Sequence, residues 1–300
     1  MSDSLAIQTQ ALSKSYGKVQ ALRGVDLEVK RGEVFGFLGP NGSGKTTTIR
    51  CLLDLIRPDG GTLRVLGHDP QRESVAVRAQ IGYLPGELHL DEAFTVEAAL
   101  RFFSRLRGNK TDEAYLRELA DRLNLDLQLR IKNLSKGNKQ KVGIVQALMH
   151  RPALLMLDEP TGGLDPLMQQ QVLRAIREAQ ANGATVFFSS HVLSEVEEIA
   201  DRVGIIRRGV VVEVADPQAL IDRALRRVRV RFKQPIALDA LTRLPGVTVI
   251  DRGNDSNVLL NVAGDMDQLI KTLAAYPIID VDIERPSLEE IFLAYYAEQA

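Results

Sequence analysis

The feature that most constrains this chain is a glycine-rich segment at positions 39–47, which reads G-P-N-G-S-G-K-T-T. An apolar run at 34–38 precedes it, and a segment with helical spacing follows from Lys45. Glycines allow the backbone to curl so that successive N–H groups point inward, and the start of a helix adds partial positive charge. A strand, a glycine-rich loop and a helix in this order predict a site for a phosphate group.

The residue types in this loop extend the prediction to a nucleoside triphosphate and its metal ion. Lys45 can reach the β- and γ-phosphates, and the Thr46 hydroxyl can ligate Mg²⁺. The predicted nucleotide-binding residues of the loop are Gly39, Pro40, Asn41, Gly42, Ser43, Gly44, Lys45, Thr46 and Thr47.

Composition places the chain among ordinary globular proteins of about two domains. Of the 300 residues, 45% are hydrophobic and 26% are charged, and the net charge of −1 gives no global attraction to nucleic acid. The single cysteine, Cys51, excludes an internal disulfide. The sequence shows no signal-peptide pattern and no apolar run near the roughly 18 to 20 residues that a membrane span needs.

Strand-like and helix-like segments alternate over most of the chain, which predicts an α/β fold with a mostly parallel sheet covered by helices. From about residue 88 to 151 the pattern is helical and indicates an inserted subdomain. After residue 217 the order becomes β-α-β-β-α-β, which predicts a small ferredoxin-like α+β domain. The predicted domains are therefore 1–217, with its helical subdomain, and 218–300.

Two adjacent carboxylates follow the apolar run 154–157. If the run is a buried strand, it delivers Asp158 to the metal ion, and Glu159 projects beyond the strand end toward the γ-phosphate. Asp158 is the predicted metal-organising residue, and Glu159 is the predicted base that orients and deprotonates the attacking water. A solvated acidic turn is the alternative interpretation.

A second candidate phosphate contact is the segment L-S-K-G-N at 134–138, just before a long amphipathic helix. Ser135 is a natural N-cap, and Gly137 leaves the helix entry open. Such a helix start suits a phosphate, although a merely capped helix explains the same residues.

Taken together, these motifs resemble the nucleotide-binding subunit of an ABC transporter, over about residues 5 to 217. The loop at 39–46, the segment at 134–138, the Asp158–Glu159 pair, the Gly-Leu-Asp at 163–165 and His191 occur in the family's order and spacing. The resemblance implies a P-loop NTPase fold with a core sheet, an antiparallel β subdomain and a helical insertion. It also implies that Tyr16 stacks on adenine and that His191 contacts the γ-phosphate.

The resemblance further implies a composite site and an exporter. Two cassettes meet head to tail, so Ser135 and Gly137 contact the ATP of the partner chain, and Asp165 bridges the interface. The implied partners are a second copy or a similar cassette chain, and a separately encoded polytopic membrane subunit. The chain is then a peripheral ATPase at the cytoplasmic face of the membrane, with ATP and Mg²⁺ as cofactors and no nucleic acid.

The sequence departs from the family pattern at two places. Lys136 and Asn138 replace a glycine and a glutamine of the family's signature segment. The family glutamine that contacts Mg²⁺ and water is missing, because Gly86 stands at its position and Glu87 follows. Glu87 is a candidate substitute as an oxygen ligand of the metal.

Other readings stay open at this level. A soluble ABC-type ATPase that acts on ribosomes or DNA without transport is the main alternative, although the chain has one cassette, no cysteine pairs and no sustained heptads.

In the C-terminal part, we predict a last helix with one apolar face formed by Leu288, Ile291, Phe292 and Tyr295. The basic cluster at 226–231 is predicted to be a solvated strand face.

Overall fold

The structure is a computed structural model that describes residues 4–108, 111–223, 225–253, 256–284 and 290. The chain divides into two compact units, Met1–Ala215 and Asp216–Ala300. The predicted helix that carries Leu288, Ile291, Phe292 and Tyr295 lies outside the described residues.

Thirteen strands are observed in the described residues. They are β1 (Leu5–Tyr16), β2 (Val19–Lys30), β3 (Val34–Leu38), β4 (Gly60–Val65), β5 (Ile81–Leu84), β6 (Leu154–Asp158), β7 (Thr185–Ser190), β8 (Arg202–Arg207), β9 (Val210–Ala215), β10 (Arg226–Phe232), β11 (Val247–Gly253), β12 (Asn257–Val262) and β13 (Ile278–Glu284).

Ten α-helices are observed in the same part of the chain. They are α1 (Lys45–Leu52), α2 (Ser74–Ala79), α3 (Val96–Leu106), α4 (Glu113–Arg122), α5 (Lys136–Leu148), α6 (Pro166–Ala181), α7 (Leu193–Ile199), α8 (Pro217–Arg223), α9 (Asp239–Thr242) and α10 (Asp267–Leu273).

The first unit is built on a six-stranded sheet in the order β5-β6-β7-β3-β8-β9. Every neighbouring pair in it is parallel except β8 and β9. Strands β3, β6 and β7 are buried along their whole length, as expected for central strands of a sheet covered on both faces. Their carboxyl ends meet at one edge, and this edge holds the candidate site. The predicted α/β fold class is confirmed.

A second, antiparallel sheet in the order β2-β1-β4 packs its apolar residues into the same core. Cys51 belongs to this core and is fully buried, so it serves as a small apolar side chain. The helical stretch consists of α3, α4 and α5, and the first two begin with the side-chain caps Thr95 and Asp112. Helix α5 begins within the signature segment at 134–138 and is called the signature helix below. It packs against β5 of the core sheet.

The second unit has the β-α-β-β-α-β order and a four-stranded antiparallel sheet, β11-β12-β10-β13. On β10 the apolar residues Val228 and Val230 are buried, whereas Arg227, Arg229 and Arg231 are exposed. Acidic residues of β13 lie opposite these arginines in the sheet register. The basic cluster is therefore one half of a mixed-charge, solvated face.

Candidate active site

The phosphate-binding loop connects β3 to α1 in a conformation that its glycines make possible. Gly42 and Gly44 have φ angles of 77° and 117°, which side chains with a Cβ rarely adopt. A Cβ on Gly39 would lie 2.5 Å from the Ile206 carbonyl oxygen and from Ser43 Oγ. The Ser43 hydroxyl is buried and has no hydrogen-bond partner within the described residues, which leaves it available to a ligand oxygen.

Lys45 is the buried cation of this loop, with only 5% of the residue exposed. Its Nζ donates hydrogen bonds to the Gly39 carbonyl oxygen over 2.6 Å and to the Pro40 carbonyl oxygen over 3.3 Å. Burial lowers the pKa of Lys45, and the carboxylates of Glu159 and Asp158 oppose this shift. A protonated amine held beside curled backbone N–H groups is suited to bind a polyphosphate.

The loop and the end of β6 are joined by a direct hydrogen bond. Thr46 Oγ1 donates to Asp158 Oδ2 over 2.7 Å, and Ser189 Oγ donates to the other oxygen of the same carboxylate. A hydroxyl and a carboxylate oxygen are hard ligands of the kind that Mg²⁺ prefers. Within the described residues no cluster of three or more acidic, histidine or cysteine side chains could hold a metal. The Thr46 hydroxyl and the Asp158 carboxylate fit a Mg²⁺ ion whose remaining ligands would come from phosphates and water.

Glu159 lies one residue beyond β6 and is close to two other candidate residues, Lys45 and His191. Its Oε1 is 3.7 Å from Lys45 Nζ and 3.2 Å from His191 Nδ1. Glu159 has a φ of 52°, an uncommon conformation for a residue with a side chain. The structure thus places Lys45, Asp158, Glu159 and His191 together at one sheet edge.

The signature segment is placed as predicted for a helix start. The Ser135 hydroxyl accepts a hydrogen bond from the Asn138 N–H over 3.2 Å, and the residue is exposed. A Cβ on Gly137 would lie 2.9 Å from the Gly163 carbonyl oxygen, so a larger residue would push the helix off this loop. Asp165 is exposed and caps α6, accepting from the Met168 N–H over 3.0 Å.

The remaining candidates lie at the surface. Tyr16 is half-exposed at the end of β1, next to Lys14. Pro40 and Asn41 are exposed at the tip of the phosphate-binding loop, and Thr47 is half-buried in α1.

The position of the missing family glutamine lies directly against the carboxylate of Asp158. A Cβ on Gly86 would lie 3.2 Å from Asp158 Oδ2, whereas Glu87 is exposed. A side chain at position 86 would therefore lie against the Asp158 carboxylate.

Three polar residues of the site were not among the residues singled out from the sequence. Ser189 binds Asp158, as described above. Glu195 is buried and accepts hydrogen bonds from Thr161 Oγ1 and, over 2.8 Å, from Ser190 Oγ. Gln140 on α5 donates to the carbonyl oxygens of Glu159 and Pro160. In the sequence, Gln140 stands out in one respect: it is a polar residue at a position on the buried face of α5.

Comparison with known proteins assigns this constellation to a family. A family model described as ABC transporter matches residues 22–162. The daunorubicin resistance ATP-binding protein DrrA3 of Streptomyces coeruleorubidus is 34% identical, and the alignment covers 96% of this chain and 95% of that protein. The Nod factor export ATP-binding protein I of Paraburkholderia xenovorans (strain LB400) is 37% identical over 72% of each chain.

A solved structure, described as that of an ATP binding subunit of an ABC transporter, has the same fold. It is 32% identical, superimposes with a TM-score of 0.66, and covers 72% of this chain and 91% of that one. The sequence-based expectation of family, fold and nucleotide is confirmed, and nothing in these comparisons favours an ATPase of ribosomes or DNA. The chain therefore belongs to the ABC transporter family, as an ATP-binding, ATP-hydrolysing subunit of the exporter type.

Proposed function

We propose that this chain hydrolyses Mg²⁺-ATP in a site shared by two cassettes and thereby drives export through a separate membrane subunit. The observation that carries this proposal is the Thr46–Asp158 hydrogen bond of 2.7 Å. It joins the loop that would hold the phosphates to the strand end that carries the base. Binding and bond cleavage are thus assigned to one edge of the core sheet.

In this proposal each charged side chain has one task. Lys45 and the loop N–H groups hold the phosphates, while Thr46 and Asp158 would hold the metal ion, which would neutralise charge on the phosphate oxygens. Glu159 orients the attacking water and takes its proton. His191, which is 3.2 Å from Glu159 in the structure, stabilises the charge that develops on the γ-phosphate. Tyr16 stacks on adenine, and Glu87 is the substitute metal ligand of the loop that lacks the glutamine.

The second half of the site is proposed to come from another cassette chain. Ser135 is exposed, and its hydroxyl and carbonyl accept hydrogen bonds from Asn138 and Lys139 of its own helix. The chain carries one copy of each motif, so a twofold pair of chains gives two equivalent sites. In such a pair Ser135 and Gly137 contact the partner's γ-phosphate, and Asp165 lies at the interface.

The membrane subunit is proposed to contact the helical stretch and the loop at 86–90. Within the described residues, no helix is both long enough and apolar enough to cross a bilayer. A groove of about 450 Å³ lies beside this region, and its apolar rim includes Val75 and Leu106, which are 76% and 69% exposed. Such apolar exposure supports a protein partner, and the proposed location is the cytoplasmic face of the membrane.

The experiment that tests the proposal is the substitution Glu159→Gln in the full-length chain. We expect ATP binding to be retained and turnover to fall by at least about 100-fold, because the amide cannot accept the proton of water. With hydrolysis blocked, ATP should hold two chains together, which size-exclusion chromatography with light scattering detects.

The exposed Glu197→Gln on α7 is the matched control, and it should leave both turnover and assembly unchanged. Substantial turnover in Glu159→Gln would remove Glu159 from the role of base. A variant that binds ATP yet stays monomeric would contradict the shared site.

A further inference from the structure

The signature helix α5 is attached to the loop after β6 at two points on one face of its first turns. At the first point, the backbone of Gly137 lies against the Gly163 carbonyl oxygen, with no room for a side chain. At the second, Gln140 Nε2 donates hydrogen bonds to the carbonyl oxygens of Glu159 and Pro160, each over 3.1 Å. Residues three apart share a helix face, so both contacts bind the same side of the helix to the same loop.

The contact made by Gln140 is specific in its chemistry. A glutamine amide has two N–H donors, and both are used on two consecutive carbonyl oxygens. Gln140 is only 8% exposed, so water does not readily replace these bonds. The connection therefore requires a donor at this place, and an apolar or acidic side chain of the same length cannot make it.

One of the two carbonyl oxygens that accept these hydrogen bonds belongs to Glu159, the candidate base. The backbone at this residue determines where its side chain begins. Glu159 has a φ of 52°, which is unfavourable for a residue with a Cβ and persists only where the surroundings hold it. Its N–H donates to the Ser189 carbonyl oxygen over 3.1 Å, and its carbonyl accepts from Gln140. The strand β7 thus fixes one end of this residue and the signature helix fixes the other.

We infer that Gln140 is a positioning residue that ties the orientation of Glu159 to the signature helix, an inference that rests on the proposed function. In a pair of cassettes, the start of this helix meets the partner's nucleotide, while Glu159 serves the nucleotide of its own chain. Gln140 lies between the two contacts. The base that serves this chain's nucleotide is therefore held by the same helix whose start serves the partner's nucleotide.

The test compares Gln140→Met and Gln140→Glu in the full-length chain. Both side chains nearly match glutamine in length, but neither offers the two N–H donors. We expect kcat to fall about 10- to 100-fold, as for a catalytic group misplaced by roughly 1 Å. The KM for ATP and the affinity for a fluorescent ATP analogue should stay within about twofold, because the phosphate-binding loop is untouched.

A matched control is Gln180→Met. Gln180 Nε2 also donates to a backbone carbonyl, that of Gly32, over 2.7 Å, but on the far end of α6. Its loss should leave kcat unchanged, and melting temperatures measured for all variants report any loss of folding. A fall of kcat in Gln180→Met equal to that in Gln140→Met would overturn the inference, because it would show a general effect of lost packing.

A double variant distinguishes a role in positioning Glu159 from a purely structural role of Gln140. The quantity measured is the rate of single-turnover decay of bound ATP. Because Gln140 acts through Glu159, adding Gln140→Met to Glu159→Gln should slow single-turnover decay of bound ATP by less than about twofold. Full additivity of the two losses would overturn the inference, as would an unchanged kcat in both Gln140 variants. These outcomes concern Gln140 only when Glu159→Gln itself lowers turnover by at least about 100-fold. If it does not, the proposed function fails instead.

Discussion

Lys45 shows how single residues gain function from their surroundings. Burial lowers the pKa of its amine, and two carboxylates oppose that shift. The nearer carboxylate belongs to Glu159, with the two charged atoms 3.7 Å apart. In the proposed function, the γ-phosphate would bring negative charge to the lysine and take over part of its pairing, which would leave Glu159 to bind water.

A first prediction concerns Lys45→Ala. Loss of charge-assisted hydrogen bonds to phosphate costs about 1.5–3 kcal/mol, which corresponds to roughly 10- to 100-fold weaker ATP binding. Titration with a fluorescent ATP analogue measures this affinity. Lys30→Ala, an exposed lysine at the end of β2, serves as the control. An affinity equal to that of the unchanged chain would refute the assignment of the phosphate-binding loop.

For single residues, the sequence predicts the candidates that belong to short local motifs. It does not predict the partners that come from distant parts of the chain. Lys45, Thr46, Asp158 and Glu159 are recognisable because their motifs are short and follow apolar runs. The partners Gln140 and Ser189 belong to other elements, 19 and 31 residues away from the residues they bind. A polar residue in an amphipathic helix gives no sign of which distant carbonyl it meets.

Among the elements, the long periodic ones are predicted best. The spacing predicts a helix over 96–106, and the structure has α3 at Val96–Leu106, started by the Thr95 cap. In the sequence, the strand-like pattern covers residues 5–12. Strand β1 continues to Tyr16, because pairing with β2 carries it past the irregularity at Ala11, where φ is 49°. Tertiary pairing here outweighs the local pattern.

Strand β5 is a short element without a clear local pattern, and the sequence does not predict it. Strand β5 has four residues and contains Gly82, and its place is set by parallel pairing with β6. A Cβ on Gly82 would lie 2.1 Å from the Ala147 carbonyl oxygen, so glycine is required by the close approach of α5. Only the assembled layers explain a glycine in the middle of a strand.

The end of helix α5 carries a second prediction, on pH. His150 follows this helix, and burial, with a smaller contribution from Arg107, lowers the pKa of its imidazole to about 4. Its Nε2 faces the Ile81 carbonyl oxygen over 3.3 Å, and its Nδ1 is buried without a partner within the described residues. Protonation would therefore add a charge to a buried ring.

Because the unfolded chain binds this proton with an ordinary pKa near 6.5, it holds more protons than the folded chain between pH 6.5 and 4. Stability is then fully present above pH 6.5 and is lost as the pH falls toward 4. We expect His150 to contribute a loss of about 2 kcal/mol between pH 7 and pH 5. Urea unfolding of the unchanged chain and of His150→Gln measures this difference.

The exposed His89→Gln is the control for the same series. It should leave the pH dependence of the free energy of unfolding as it is in the unchanged chain. Parallel curves for the unchanged chain and His150→Gln would show that the buried ring does not resist protonation.

At the scale of the whole molecule, the proposed shared site has two halves, and the chain carries residues of both. The phosphate-binding loop lies at the carboxyl end of β3, and the signature serine stands exposed at the start of α5. The sequence predicts both halves, since each is a local motif. That the two halves come together in a pair of chains is predicted only from the family resemblance. No pattern within one chain shows how a second copy binds. The α+β unit is predicted from its strand and helix order, and this order is observed.

Mixing two inactive variants tests the shared site most directly. Lys45→Ala damages the phosphate-binding loop, and Ser135→Arg damages the signature segment. In a mixed pair of chains, both defects fall in one site and the other site is intact. ATPase activity should therefore return on mixing, to about a quarter of the normal rate if chains pair at random and the two sites act independently. Recovery at no mixing ratio, with both variants folded, would contradict the account, because it would mean that each chain closes its own site.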